Sequence, residues 1–242
     1  MTVSADRIAH AERFVTSLQE ELSTFVTEVE EGPFVQKARE GTLPIEALRL
    51  FVEQTYHLVM NDMGNLSLYV AKGRNEEEVD FFLFMTIAER LMLDSHYLLV
   101  DAIGIPRGEL HGSEPNIHTA LRTNYFTRLA LYHLPGEIAL GILLNFPVWA
   151  GGARKLSAAM KENYGLGKPA PGTDLIDTDV LDRFSQATQG FIDMAMRLVA
   201  ADLVDDAAET KMRQVGQLAV EYEAMVWSAY YTEGMRRAGL KP

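Results

Sequence analysis

Apolar residues recur at helical spacing along almost the whole chain, and the polar residues between them mark where each helix starts and stops. Ser4 precedes a stripe of Ile8, Phe14, Leu18, Leu22, Phe25 and Val29, which predicts a first helix capped by the serine hydroxyl. A short helix over 34–40 stops at Gly41. A long one begins after Leu43-Pro44 and runs to Lys72, where Gly73 ends it. The next covers 76–103 and is stopped by Gly104 and Pro106. Ser113-Glu114-Pro115 opens another, ending near His133, and Pro135-Gly136 leads into a helix reaching Tyr164. Pro147 lies inside that helix. It has no N–H and crowds the carbonyl of Leu143, so a kink or break is expected there, with Gly151-Gly152 adding weakness. The stretch 165–173 carries Pro169 and Pro171 and reads as a loop. Two helices, 178–203 and 206–238, complete the chain. Strand patterns are nearly absent. Seven or eight helices with short connections predict an all-α, single-domain bundle spanning 1–242.

Composition narrows the function classes. The chain has 242 residues, 48% of them hydrophobic, enough for a sizeable core. Its formal net charge of −12 repels phosphate backbones, which argues against a nucleic-acid partner. No run approaches the 18 or so consecutive apolar residues of a membrane span, so no membrane partner is expected. Met1-Thr2-Val3-Ser4 leads into a charged helix without the basic start and apolar run of a signal peptide, so a cytoplasmic protein is expected. There is no cysteine, hence no disulfide, no thiolate metal site and no cysteine nucleophile.

In a bundle, the informative residues are polar ones on apolar faces. Met85, Glu89, Met92, His96 and Leu99 share one stripe, and Glu89 and His96 stand two helical turns apart on it. A carboxylate and an imidazole there form either a ligand or acid–base pair, or a hydrogen-bonded core pair. On the last helix Glu223 lies among Tyr222, Trp227, Tyr230 and Tyr231. Desolvation by aromatics would raise its pKa and suit it to general acid–base work; the alternative is a glutamate snorkelling to the surface. Asp62 interrupts a stripe of Val52, Thr55, Val59, Leu66 and Val70, with Tyr56 on an adjoining face. Glu137, in the first turn of its helix, is explained by the helix dipole alone. Asp193 interrupts Phe191, Ile192, Met194 and Met196.

Three blocks in order carry a family resemblance. Tyr222-Glu223 through Trp227 and Ala229-Tyr230 resembles the "YE..FW..AY" run of the TenA terminal helix. Gly41-Thr42-Leu43-Pro44 through Gln54-Thr55-Tyr56 resembles that family's "G.LP…QDY", and the stretch from Leu144 to Trp149 its "LPC.W". The chain thus resembles the TenA/PqqC branch of the haem-oxygenase-like helical folds. The resemblance implies a homodimer or homotetramer that binds a small-molecule substrate, such as an aminopyrimidine, in the bundle core. Glu223 would be the catalytic residue, with Thr55, Tyr56, Asp62, Trp149, Tyr222, Trp227 and Tyr230 around the substrate and no cofactor. The departures are specific. The family's aspartate falls on Thr55, its cysteine near Pro147, and the tyrosine after that cysteine near Gly151. A hydrolase working through carboxylates is therefore the expectation. An oxidase of the same fold is the alternative, with Glu89 and His96 as its centre and a two-iron site drawn from Glu89, His96, Glu137 and Asp193. A non-catalytic metabolite binder is the third.

Overall fold

The computed structural model describes residues 3–172 and 174–242. Met1, Thr2 and Thr173 lie outside the described residues, so the predicted loop is described only as far as Gly172 on its N-terminal side. Among the described residues the chain is helical with no named strand; its one β-like feature is an isolated bridge between Pro169 and Ile176. Seven helices are long: α1 (Ala5–Glu21), α4 (Ile45–Lys72), α5 (Glu76–Ala102), α7 (Ile117–Tyr132), α8 (Pro135–Asn163), α10 (Gln189–Asp202) and α11 (Asp206–Arg237). Four are short: α2 (Ser23–Glu30), α3 (Pro33–Arg39), α6 (Arg107–Gly112) and α9 (Asp179–Arg183).

Local chemistry sets most boundaries. The Ser4 hydroxyl accepts from the Arg7 amide, and the Asn75 side chain accepts from the Glu78 amide at the start of α5. Gly41 turns the chain after α3 with a φ of +68°, a conformation that favours glycine. The three-residue turn between α4 and α5 makes them an antiparallel pair. α8 is the central element. It packs against α2, α3, α10 and α11, while α11 also lies along α4 and α7. By length and composition α8 is apolar enough to cross a membrane, contrary to the sequence reading, but 78% of that stretch is buried inside the bundle, as suits a core helix.

Three expectations need correction. The first predicted helix divides at Leu22 into α1 and α2. α8 runs through Pro147 without a break, because surrounding helices hold it on several sides. The predicted helix 178–203 is interrupted: residues 184–188 are irregular, and α10 restarts with the Thr188 hydroxyl accepting from the Phe191 amide at 3.2 Å.

The α8–α10 contact depends on Gly136. A Cβ there would stand 2.3 Å from the Leu198 carbonyl oxygen, and the Gly136 amide donates to Asp202 Oδ2 at 2.7 Å. Gly136→Ala is expected to lower stability by about 1–3 kcal/mol through overpacking. Gly190→Ala, on α10 with open space around it, is expected to be neutral or slightly stabilising. Urea denaturation of the two variants checks this; equal midpoints would show that α8 and α10 shift apart at little cost.

Candidate functional site

A cavity of about 300 Å³ lies between α4, α5, α7, α8 and the irregular segment before α10. Its α4 wall is Thr55, Leu58, Val59, Asp62, Asn65, Leu66 and Tyr69, a single face at helical spacing. α5 contributes Phe84, Met85, Ala88, Glu89 and Met92; α7 contributes Arg122 and Phe126; α8 contributes Ile142, Asn145, Phe146 and Trp149. The mouth is the exposed side, where Phe84 meets Arg183, Phe184 and Gln186 through Thr188.

The charged residues of this wall, other than Arg183 at the mouth, form one cluster. Arg122 is 6% exposed, with its guanidinium 4.2 Å above the Phe126 ring. Its Nη1 donates to both Asp62 oxygens at 2.7 Å, and its Nε lies 3.4 Å from Glu223 Oε2. Glu223 is held from two further directions: Asn145 Nδ2 donates to Oε2 at 3.0 Å and Trp227 Nε1 to Oε1 at 3.1 Å. Glu89 completes the cluster from α5. Among the described residues no group donates a hydrogen bond to its carboxyl, whose open surface is cavity surface.

Asp62 and Glu223 thus share one guanidinium whose field also reaches Glu89, and electrostatics divides the three carboxyls. Burial pushes the Glu89 carboxyl up to about 8, helped by the nearby Asp62 charge and only partly offset by Arg122. Glu89 is therefore largely protonated at neutral pH. Burial also raises Asp62, with Arg122 opposing. For Arg122 burial acts to lower the pKa, but the Asp62 and Glu223 charges outweigh it and the group stays charged.

Of the residues singled out in the sequence, the structure brings Thr55, Asp62, Glu89 and Trp149 to the cavity wall. Glu223, 1% exposed, stands one layer behind, reached through Arg122 and Asn145. Trp227 holds Glu223, and Tyr230 packs with Phe51 and Trp227 at ring separations of 5.1 and 5.8 Å, so neither is a substrate wall. Tyr222 packs against Tyr125 at a ring separation of 5.1 Å, the rings tilted by 35°, also away from the cavity. Tyr56 points to another cluster, with His57, Tyr97 and His111.

The four proposed metal ligands do not assemble. His96 is fully buried, and its Nε2 donates to the Val52 carbonyl at 2.9 Å; burial lowers its pKa to about 4, so the ring is neutral. Glu137 is 2% exposed and caps α8: it accepts from the Leu134 amide and pairs with His133 at 2.7 Å and Lys211 at 2.9 Å. Asp193 is exposed and accepts from Gln189. Among the described residues no group of three or more His, Cys, Asp or Glu is placed to hold a metal ion. The residues present do not fit a two-iron centre.

Sequence reasoning missed Arg122. An arginine on a helix reads as surface, yet Arg122 shares its face with Thr119, Phe126 and Leu129, all buried. That spacing was the available signal.

Residues 11–233 match the family described as TENA/THI-4/PQQC. The fold is similar to that of a TenA homologue from P. horikoshii OT3, at 15% identity and a TM-score of 0.70, covering 91% of this chain and 99% of that one. It is similar to a domain with a heme oxygenase-like fold from Shewanella denitrificans OS217, at 15% identity and a TM-score of 0.74, covering 93% and 95%. It is also similar to heme oxygenase-1 from the cyanobacterium Synechocystis sp. PCC6803, at 11% identity and a TM-score of 0.62, covering 93% and 96%. No curated protein matches the sequence.

Proposed function

The chain belongs to the TENA/THI-4/PQQC family, and on that footing we propose that it is a TenA-like enzyme that cleaves a carbon–nitrogen bond in a small substrate by carboxylate acid–base chemistry. The observation that carries this reading is Glu89: a carboxyl open to the cavity, without a donor among the described residues, beside the Asp62–Arg122 pair. A general acid works best with a pKa near the operating pH, and burial places Glu89 at about 8. In a hydrolysis, the water oxygen would bond to carbon as the carbon–nitrogen bond breaks. Glu89 would deliver its proton to the departing nitrogen, and Asp62, made more basic by burial, would take the proton lost by water. Arg122 would fix Asp62, and Glu223 would hold Arg122 in place from behind.

Ammonia release from an aminomethylpyrimidine tests the reading. Glu89→Gln is expected to lower kcat by about 10²–10⁴-fold, the range for loss of a general acid, with an unchanged circular dichroism spectrum. Glu223→Gln keeps a carbonyl acceptor for Trp227 and should lower kcat by less. The opposite ranking would move the acid–base role to Glu223, and full activity in Glu89→Gln would end the proposal as stated.

A further inference from the structure

The size and charge of the cavity specify its occupant more closely than the reaction does. An apolar cavity of about 150 Å³ accommodates one six-membered ring. This one encloses about 300 Å³. Its α4 wall runs from Thr55 to Tyr69, about 21 Å at the helical rise. A single heterocycle would leave roughly half of it unfilled, against Leu58, Val59, Met85, Met92 and Phe191, which offer no side-chain hydrogen bond.

Charge is equally uneven. Asp62 and Glu223 bring two negative charges to the one buried guanidinium of Arg122 while Glu89 keeps its proton, so a guest anion would add a third negative group whereas a guest cation completes the balance. The other cation on the wall, Arg183, sits at the mouth with its side chain 59% exposed and is bound by Asp179 at 2.9 Å. A cationic head is therefore favoured at the enclosed end and disfavoured at the mouth. Between the two lie aromatic and aliphatic side chains.

Resting on the reading of this cavity as the substrate site, we infer that it takes an amphiphilic amine, its ammonium head against Glu89 and Asp62 and its apolar body, about twice the size of a single ring, lying along Phe146 toward Phe184. The substrate class is then an alkylamine or arylalkylamine, an aminomethyl-substituted heteroaromatic among them, rather than a heterocycle without an amine.

Calorimetric titration of the full chain with n-alkylamines from butyl to tetradecyl, the matching alcohols, and decanoate tests this. Affinity for the amines is expected to rise about three- to fourfold per added methylene and to level off near ten to twelve carbons, the apolar content of two ring-sized volumes. Each amine should bind about tenfold or more tighter than its alcohol, and decanoate should bind least. Asp62→Asn, which removes the negative charge facing the head, should erase most of the amine preference while alcohol binding persists. Ala88→Leu fills the wall from α5 and should move the plateau to shorter chains. A flat series, a plateau already reached at butylamine, or alcohols or decanoate binding as tightly as amines would overturn the inference. Turnover is not read, so a flat series leaves the proposed chemistry standing. Conversely, an inactive Glu89→Gln says nothing against the amine preference.

Discussion

Arg122→Met is expected to destabilise the protein by about 3–5 kcal/mol at pH 8, the range for breaking a buried ion pair from one side. Methionine keeps much of the packing against Phe126 but leaves Asp62 and Glu223 facing each other without a cation. Glu223 is 1% exposed, so water cannot replace the guanidinium. The loss should depend on pH in a definite direction. Without Arg122 the burial that raises the Asp62 carboxyl goes unopposed, so its folded-state pKa stands further above its unfolded value. The folded state then binds more protons than the unfolded one, and stability falls as pH rises through that window. The deficit measured by urea denaturation should therefore shrink between pH 8 and pH 5. A loss of equal size at both would assign the effect to packing rather than to charge. Adding Asp62→Leu to Arg122→Met should recover part of the loss, because it removes one stranded charge.

The same cluster shows what the sequence could and could not convey. Helix ends set by local chemistry were legible: Ser4, Gly41, Pro44 and Pro135 each act within a turn of themselves. Features set by distant partners were not. Pro147 does not break α8, because neighbouring helices hold that helix on several sides. The irregular 184–188 segment, bounded by the Thr188 cap, hides inside a stretch with helical periodicity yet supplies the mouth of the cavity. Asp62 and Glu89 were legible as site residues because they interrupt apolar stripes, and Thr55 and Trp149 through the family resemblance. His96 satisfied the same criterion for another reason: its partner is the Val52 carbonyl, and a backbone acceptor leaves no mark in a sequence. Tyr222, Trp227 and Tyr230 flank the glutamate in sequence, but the helix directs them to core contacts instead of the cavity. The resemblance placed the family's aspartate at Thr55; in the structure a carboxylate reaches the same cavity from Asp62, two turns further along α4.

Glu89→Gln should raise stability by an amount that grows with pH. In the wild type, burial holds Glu89 at about 8 against the ordinary glutamate value of 4.5. Between those values the folded state keeps a proton that the unfolded state has lost, so stability declines as pH rises from about 4.5 to about 8 and is flat beyond. The full shift corresponds to at most about 5 kcal/mol. Glutamine fills the same space without ionising, so the variant should gain on the wild type through this window and keep the gain above it. His96 acts in the opposite sense. Burial lowers it to about 4, so its contribution is complete above an unfolded value of about 6.5 and is lost as pH falls toward 4. Because His96 is present in both proteins, it cancels in the difference between them. Urea midpoints at pH 5 and pH 9 decide the matter: a gap that fails to widen means that Glu89 ionises freely in the fold. A gap that widens while the variant loses turnover would identify Glu89 as a group that the fold alone would do better without, retained at the cavity wall for its proton.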